Sequence, residues 1–101
     1  MFRARYELLY RPEADEALDR LAADSAMGKI LDAIDDTLDE LEDDPFERRL
    51  GTIAFRTAEG AGVSATPVRL DGWYVLWRRG PRPRTLEIIA FARLEVLGHG
   101  G

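Results

Sequence analysis

The spacing of apolar residues changes twice along the chain and divides it into a short strand, two helices and a strand-rich C-terminal half. From Phe2 to Tyr10, aromatic and apolar residues fall at strand density, with Tyr6, Leu8 and Tyr10 on one parity and Glu7 and Leu9 on the other. Arg11-Pro12 ends that strand, because proline disfavours helix for the residue before it yet suits the first turn of a helix that begins there. The spacing of Ala14, Ala17, Leu18 and Leu21 predicts a helix over Pro12 to Ala23, with Glu13, Asp15 and Glu16 at its positive end. Asp24-Ser25 supplies the next capping residues. Met27, Ile30, Leu31, Ile34, Leu38 and Leu41 then trace a second amphipathic helix, which Pro45 stops; Phe46 and Leu50 are expected to tuck under it.

Beyond Pro45 the period shortens to two. Thr52 to Arg56 and Ala65 to Leu70 are candidate strands, separated by the flexible Ala58 to Gly62 turn, and Asp71-Gly72 is a tight-turn signal. Trp73, Val75 and Trp77 alternate with Tyr74, Leu76 and Arg78. Leu86 to Ala92 carries apolar residues on both parities, which predicts that both faces of this strand are covered or meet a partner. Gly80-Pro81-Arg82-Pro83 cannot continue a ladder and should form the tip of a hairpin. The predicted class is α+β: an N-terminal strand, two antiparallel helices, and a three- to four-stranded antiparallel sheet with both helices on one face. Residues 1–97 are expected to form one domain and 98–101 a flexible tail.

Composition narrows the chemistry. A chain of 101 residues has room for one hydrophobic core. With no cysteine, thiolate metal sites and disulfides are excluded, and the single histidine, His99, lies in a glycine-rich terminus. No metal or other cofactor is expected. No apolar run approaches the roughly 18 residues that span a bilayer, and the N-terminus lacks a secretory cleavage pattern; a cytoplasmic location without membrane contact is the expectation. The net charge of −5 hides an uneven distribution. Residues 13–44 carry thirteen acidic and two basic groups, whereas residues 45–101 carry nine arginines and five acids. Apart from Lys29, every cation is an arginine, which stays charged and pairs with phosphate as a planar fork.

With thiol, histidine and serine-triad chemistry lacking their partners, arginine on a sheet remains. Arg56, Arg69, Arg78, Arg79, Arg82, Arg84 and Arg93 all come from the C-terminal half, near Trp73, Tyr74 and Trp77. Guanidinium groups beside aromatic rings suit RNA, whose phosphates pair with the former and whose unstacked bases lie on the latter. Two readings stand side by side: such an interface, or a solvated arginine tip over core tryptophans.

The ordered set of segments resembles the RelE/ParE toxin superfamily. The segments are Tyr10 to Ala22 (YRPEADEALDRLA), Leu41 to Leu50 (LEDDPFERRL), Val68 to Trp77 (VRLDGWYVLW) and Ile88 to Arg93 (IIAFAR), and together the likeness covers about nine-tenths of the chain. Tyr10, Ala14 and Leu18 match the family's helix opening; Pro45 matches its proline after the second helix. Arg69, Leu70, Gly72, Trp73, Val75, Leu76 and Trp77 match its paired-strand pattern.

The resemblance implies a sheet with a concave face and a toxin of a type II toxin-antitoxin pair that inhibits translation by ribosome-associated mRNA cleavage. Its partners would be a cognate antitoxin and ribosome-bound mRNA. The alternative is a non-enzymatic module of the same fold that inhibits gyrase or only binds an antitoxin-like partner. Arg69 and Arg93 stand at basic positions of the family and, with Tyr74, are the implied catalytic residues of a metal-independent endoribonuclease; Arg56, Arg78 and Trp73 are the implied RNA contacts. Pro67 and Tyr74 stand where the family often carries arginine, and Val96 or Leu97 where it carries a C-terminal tyrosine.

Overall fold

The computed structural model describes residues 5–93. Strand β1 (Glu7–Tyr10) leads into α1 (Pro12–Ala23), a 3₁₀ turn (Ser25–Met27) and α2 (Gly28–Asp43). A second 3₁₀ turn (Arg48–Leu50) precedes β2 (Ile53–Arg56), β3 (Gly62–Pro67), β4 (Trp73–Arg79) and β5 (Thr85–Arg93). One five-stranded sheet results, in the order β1-β5-β4-β3-β2. Strand β1 runs parallel to β5, and the other pairs are antiparallel. The expected α+β class holds. The sheet gains a strand because β1 joins it, an arrangement possible only after the helical pair has carried the chain across the sheet. The third strand lies earlier than the expected Ala65 to Leu70: Val68 to Gly72 form the turn instead, with the Val68 N–H bonded to the Trp73 carbonyl at 2.9 Å.

Helix α1 has the limits its sequence predicts. Arg11 is extended (φ −69°, ψ 154°), Pro12 occupies the first turn, and the Arg11 carbonyl accepts from the N–H groups of Ala14 and Asp15. The Arg11 N–H donates to the Ile88 carbonyl at 3.0 Å, which fastens the helix entry to β5. Asp24 caps the 3₁₀ turn through Oδ1, which accepts from the Ala26 N–H at 2.9 Å. Helix α2 buries Ile30, Ile34, Thr37, Leu38 and Leu41, and the Thr37 hydroxyl is satisfied by the Ala33 carbonyl. Leu50 is buried as expected; Phe46 is not, being 51 % exposed.

The polar side of α2 is acidic to its end, with no basic residue in its last turn to complement the helix dipole. Asp35 reports the cost. Partial desolvation, then repulsion from Asp32, Asp39 and Asp36, holds its carboxyl above the usual carboxylate range. The native state therefore keeps this proton to higher pH than the unfolded chain. Its contribution to stability is gained as pH falls through the native value and lost as pH rises past it. Asp35→Asn is expected to raise the thermal midpoint at neutral pH by about 1–4 °C, the scale of relieving like charges three or four residues apart on a helix. Differential scanning fluorimetry at low and high salt checks this, and the gain should shrink at high salt.

Both helices pack on one face of the sheet. Residues opposite one another on paired strands share a face. Thr66, Val75 and Phe91 lie in one row across β3, β4 and β5, with Trp77 opposite Ile88 in the next. Val75, Trp77, Leu86, Ile88 and Phe91 join Ile34, Leu38 and Leu41 in a single core cluster. The register shifts between Leu76 and Trp77: Leu76 faces Ala90 and Trp77 faces Ile88, so Ile89 is the extra residue of a bulge. That bulge explains the apolar residues on both parities of β5. Leu86 and Ile88 before it and Phe91 after it turn to the same, helix-covered side. The indole of Trp77 donates to Thr66 Oγ1 at 2.8 Å, and Thr66 in turn bonds Thr52 at 2.7 Å, so the buried polar atoms of this row are paired.

Candidate nucleic-acid interface

The two hairpins of the sheet part company at one end. Pairing between β3 and β4 runs only from Pro67↔Tyr74 to Ser64↔Trp77. Beyond it, Gly62 and Val63 stay paired to β2, and Arg78 and Arg79 stay paired to β5. A cleft of about 890 Å³ occupies the split. Its lining includes Phe55, Arg56, Val63, Trp77, Arg78, Arg79 and Glu87, with Phe46 at one wall.

Each cation is held by something local. Arg56 Nη1 donates to the Gly60 carbonyl at 3.0 Å within its own turn. Arg78 Nε pairs with Glu87 Oε1 across the β4–β5 ladder, and both side chains are only partly exposed. The Arg79 guanidinium lies 4.7 Å from the centre of the Phe46 ring, which meets Tyr6 and Trp77 edge-on at 6.0 and 6.1 Å. Phe46 is thus exposed because it forms an aromatic shelf at the mouth of the cleft. The beyond-strand tip is braced too: Arg82 pairs with Glu7 at 3.3 Å, and Arg84 stacks on Tyr6. Gly80 admits no side chain, since a Cβ there would overlap Thr85 Oγ1. Guanidinium groups and aromatic faces around an open cleft can hold phosphates and unstacked bases. Among the described residues, Glu87 is the only ionisable lining side chain other than arginine. Among the described residues no cluster of His, Cys, Asp and Glu is arranged to hold a metal ion.

The structure divides the residues that sequence reasoning grouped together. Arg56 and Arg78 line this cleft. Trp73 and its β5 partner Arg93 lie at the other end of the sheet, about 17 Å from Arg78 by the rise of β4, and Tyr74 lies about 13 Å from it. Arg69 is not on a strand. It adopts φ 69° in the turn before β4, donates to the Arg49 carbonyl, and borders a groove walled by Asp36, Asp39 and Glu40 of α2. That wall repels phosphate. Arg93 Nε is bonded to the Asp71 carbonyl at 2.9 Å. Trp77 is 2 % exposed and offers no free ring face for bases, whereas Trp73 is half-buried against the core cluster. Tyr74 sits half-buried opposite Ala92 and Pro67, on the face without helices. Val96, Leu97 and His99 lie outside the described residues, as does the 98–101 tail.

Three contributors escaped the sequence reading. Arg79 was legible as a cation, but its stacking on Phe46 depends on a loop conformation that no local pattern encodes. Glu87 interrupts the apolar run of β5, and that interruption was the available signal. The split between hairpins follows from where β3 starts, which periodicity fixes poorly.

No known protein-family model matches the chain, and no curated protein matches it in sequence. Solved structures do match in fold. The YoeB/ParE toxin from Agrobacterium tumefaciens superposes with a TM-score of 0.68 at 14 % identity, over 86 % of this chain and 96 % of that one. The archaeal RelE–RelB complex from Pyrococcus horikoshii OT3 gives a TM-score of 0.64 at 14 % identity, over 89 % and 96 %. The chain therefore has a RelE/ParE-like fold.

Proposed function

We propose that this protein is the toxin-like half of a type II toxin-antitoxin pair, and that it inhibits translation in the cytoplasm by binding and cutting ribosome-associated mRNA in the cleft between the two hairpins. The observation that carries this reading is the convergence of Arg56, Arg78 and Arg79 with Phe46 on one open cleft of a RelE/ParE-like sheet. A solved relative of the fold in complex with RelB supports a protein antitoxin as partner.

Cleavage would proceed within the RNA itself. The 2′-hydroxyl gives its proton to a base, its oxygen attacks the adjacent phosphorus, and the P–O5′ bond breaks. The departing O5′ takes up a proton, leaving a 2′,3′-cyclic phosphate and a 5′-hydroxyl. The cleft arginines stabilise the negative charge that builds on the phosphorane. They do not move protons. Glu87, released from Arg78 when phosphate competes for that guanidinium, takes the proton-transfer role.

The arrangement with Arg69, Arg93 and Tyr74 as the catalytic set is the rival placement for the same activity. Expression in a host without an antitoxin separates the two. Changing Arg56, Arg78 and Arg79 to alanine is expected to abolish growth arrest, while changing Arg69 and Arg93 leaves it intact. The reverse outcome moves the site to the other end of the sheet. Arrest that survives both sets of changes favours the non-enzymatic module, acting on gyrase or another target through the apolar surface of β2, where Ile53 and Phe55 stand exposed.

A further inference from the structure

The outer edge of β2 is built unlike the other edge of the sheet. At β1, Glu7 is ion-paired with Arg82, and the Tyr6 N–H just before the strand is bonded to the Glu42 carbonyl. Charge and covering backbone of that kind discourage strand pairing. Strand β2 has neither along Ile53-Ala54-Phe55. All four of its residues are exposed, with Ile53 at 48 % and Phe55 at 42 %. No described strand or helix lies beyond it. Ile53 and Phe55 project on the same side, opposite Ala65 and Val63 of β3. Val63 and Ala65 share that side of the sheet, are themselves buried and stand outside the core cluster beneath the helices, so the apolar surface left exposed there is that of Ile53 and Phe55.

We infer that β2 is the contact edge of a homodimer, in which it pairs antiparallel with β2 of a second copy about a two-fold axis at Ala54. The occupant is argued from self-complementarity. In that register Ala54 faces Ala54 of the second copy, and Ile53 faces Phe55 twice. Thr52 faces Arg56, so no like charges oppose each other. A small residue on the axis lets the backbones approach, and the two isoleucine–phenylalanine pairs fall on one face. Such an isologous contact closes on itself and joins two five-stranded sheets into one of ten strands. Arg56 stays clear of the second copy because its guanidinium is turned back to the Gly60 carbonyl.

Sedimentation velocity on the full chain from about 1 to 200 µM tests this, a range that brackets micromolar association. The wild type is expected to pass from its 11.4 kDa monomer to a species of twice that mass. Two double variants test the register, and circular dichroism confirms that each is folded. Ile53→Glu with Phe55→Glu places glutamate opposite glutamate and should remain monomeric throughout. Ile53→Glu with Phe55→Lys places glutamate opposite lysine and should still dimerise at low salt, with dissociation as salt rises. The proposal is overturned by a wild type that stays monomeric at the top of the range, by a dimer that survives the Glu/Glu change, or by a Glu/Lys variant no more dimeric than the Glu/Glu one.

Discussion

Replacing Arg56, Arg78 and Arg79 together with alanine is expected to remove most of the salt-sensitive affinity for single-stranded RNA. Each guanidinium that meets a phosphate releases a condensed counterion, and the logarithm of affinity changes by about 0.7 per contact for each tenfold change in salt. Three contacts predict a slope steeper by about 2 in the wild type. Between about 50 and 200 mM salt, the wild type should therefore lose roughly 20-fold more affinity than the variant. Fluorescence anisotropy with a short labelled RNA measures both. Arg78→Ala alone should cost more than Arg56→Ala alone, because it also strips Glu87 of its partner and leaves a carboxylate facing the phosphates. Equal salt slopes in wild type and triple variant would contradict the assignment of the cleft to RNA.

Trp77→Ala is expected to have the largest effect on stability, about 3–5 kcal/mol, the usual cost of emptying a buried indole site. Trp77 is 2 % exposed, stands opposite Ile88 and Ser64, and donates its indole N–H to Thr66. Its removal leaves a cavity under Phe46 and deprives Thr66 of a hydrogen-bond donor. For a domain of this size the loss corresponds to a drop of at least about 12 °C in the thermal midpoint. Urea or thermal unfolding followed by circular dichroism checks it. Because Trp77 also lines the cleft and supports Phe46 and Arg79, RNA affinity should fall with stability. A variant with unchanged stability would mean that the ring is not a packing centre.

The helices were legible almost to the residue. Pro12 marked the start of α1, and the three-and-four spacing through Leu41 marked the buried stripe of α2, because period and caps are local signals. The parallel pairing of β1 with β5 was not legible. Residues 7–10 and 85–88 meet only in three dimensions, and nothing in either segment specifies direction. The Ile89 bulge was not legible, because a single inserted residue flips parity in a way that the sequence alone renders as apolar residues on both parities, the pattern of a strand covered on both faces or meeting a partner.

The sequence offered arginines beside aromatics on the sheet as candidates, and the structure sets those residues apart. Arginine near aromatics on the sheet was visible from composition, yet the sheet sends Arg78 and Tyr74 in opposite directions along β4. The turn at Val68 to Gly72 removes Arg69 from the strand altogether. Arg69 also shows how charge context changes a residue's use. Beside Asp36, Asp39 and Glu40, a guanidinium that resembles a phosphate ligand in sequence sits at an acidic wall.

In the proposed activity the cleft between the hairpins cuts RNA, with the arginines holding phosphate and Glu87 moving the proton. The most direct measurement maps 5′ ends on a reporter mRNA in a purified translation reaction, with wild-type protein, Glu87→Gln and the triple arginine variant compared side by side. The wild type is predicted to create new 5′-hydroxyl ends in the coding region. Glu87→Gln should bind RNA at least as tightly and cut at least about 100-fold more slowly, the usual contribution of a positioned acid–base group, and the triple variant should bind more weakly, with the shallower salt slope, and not cut. Intact mRNA with the wild type, or cutting by Glu87→Gln at the wild-type rate, would contradict it.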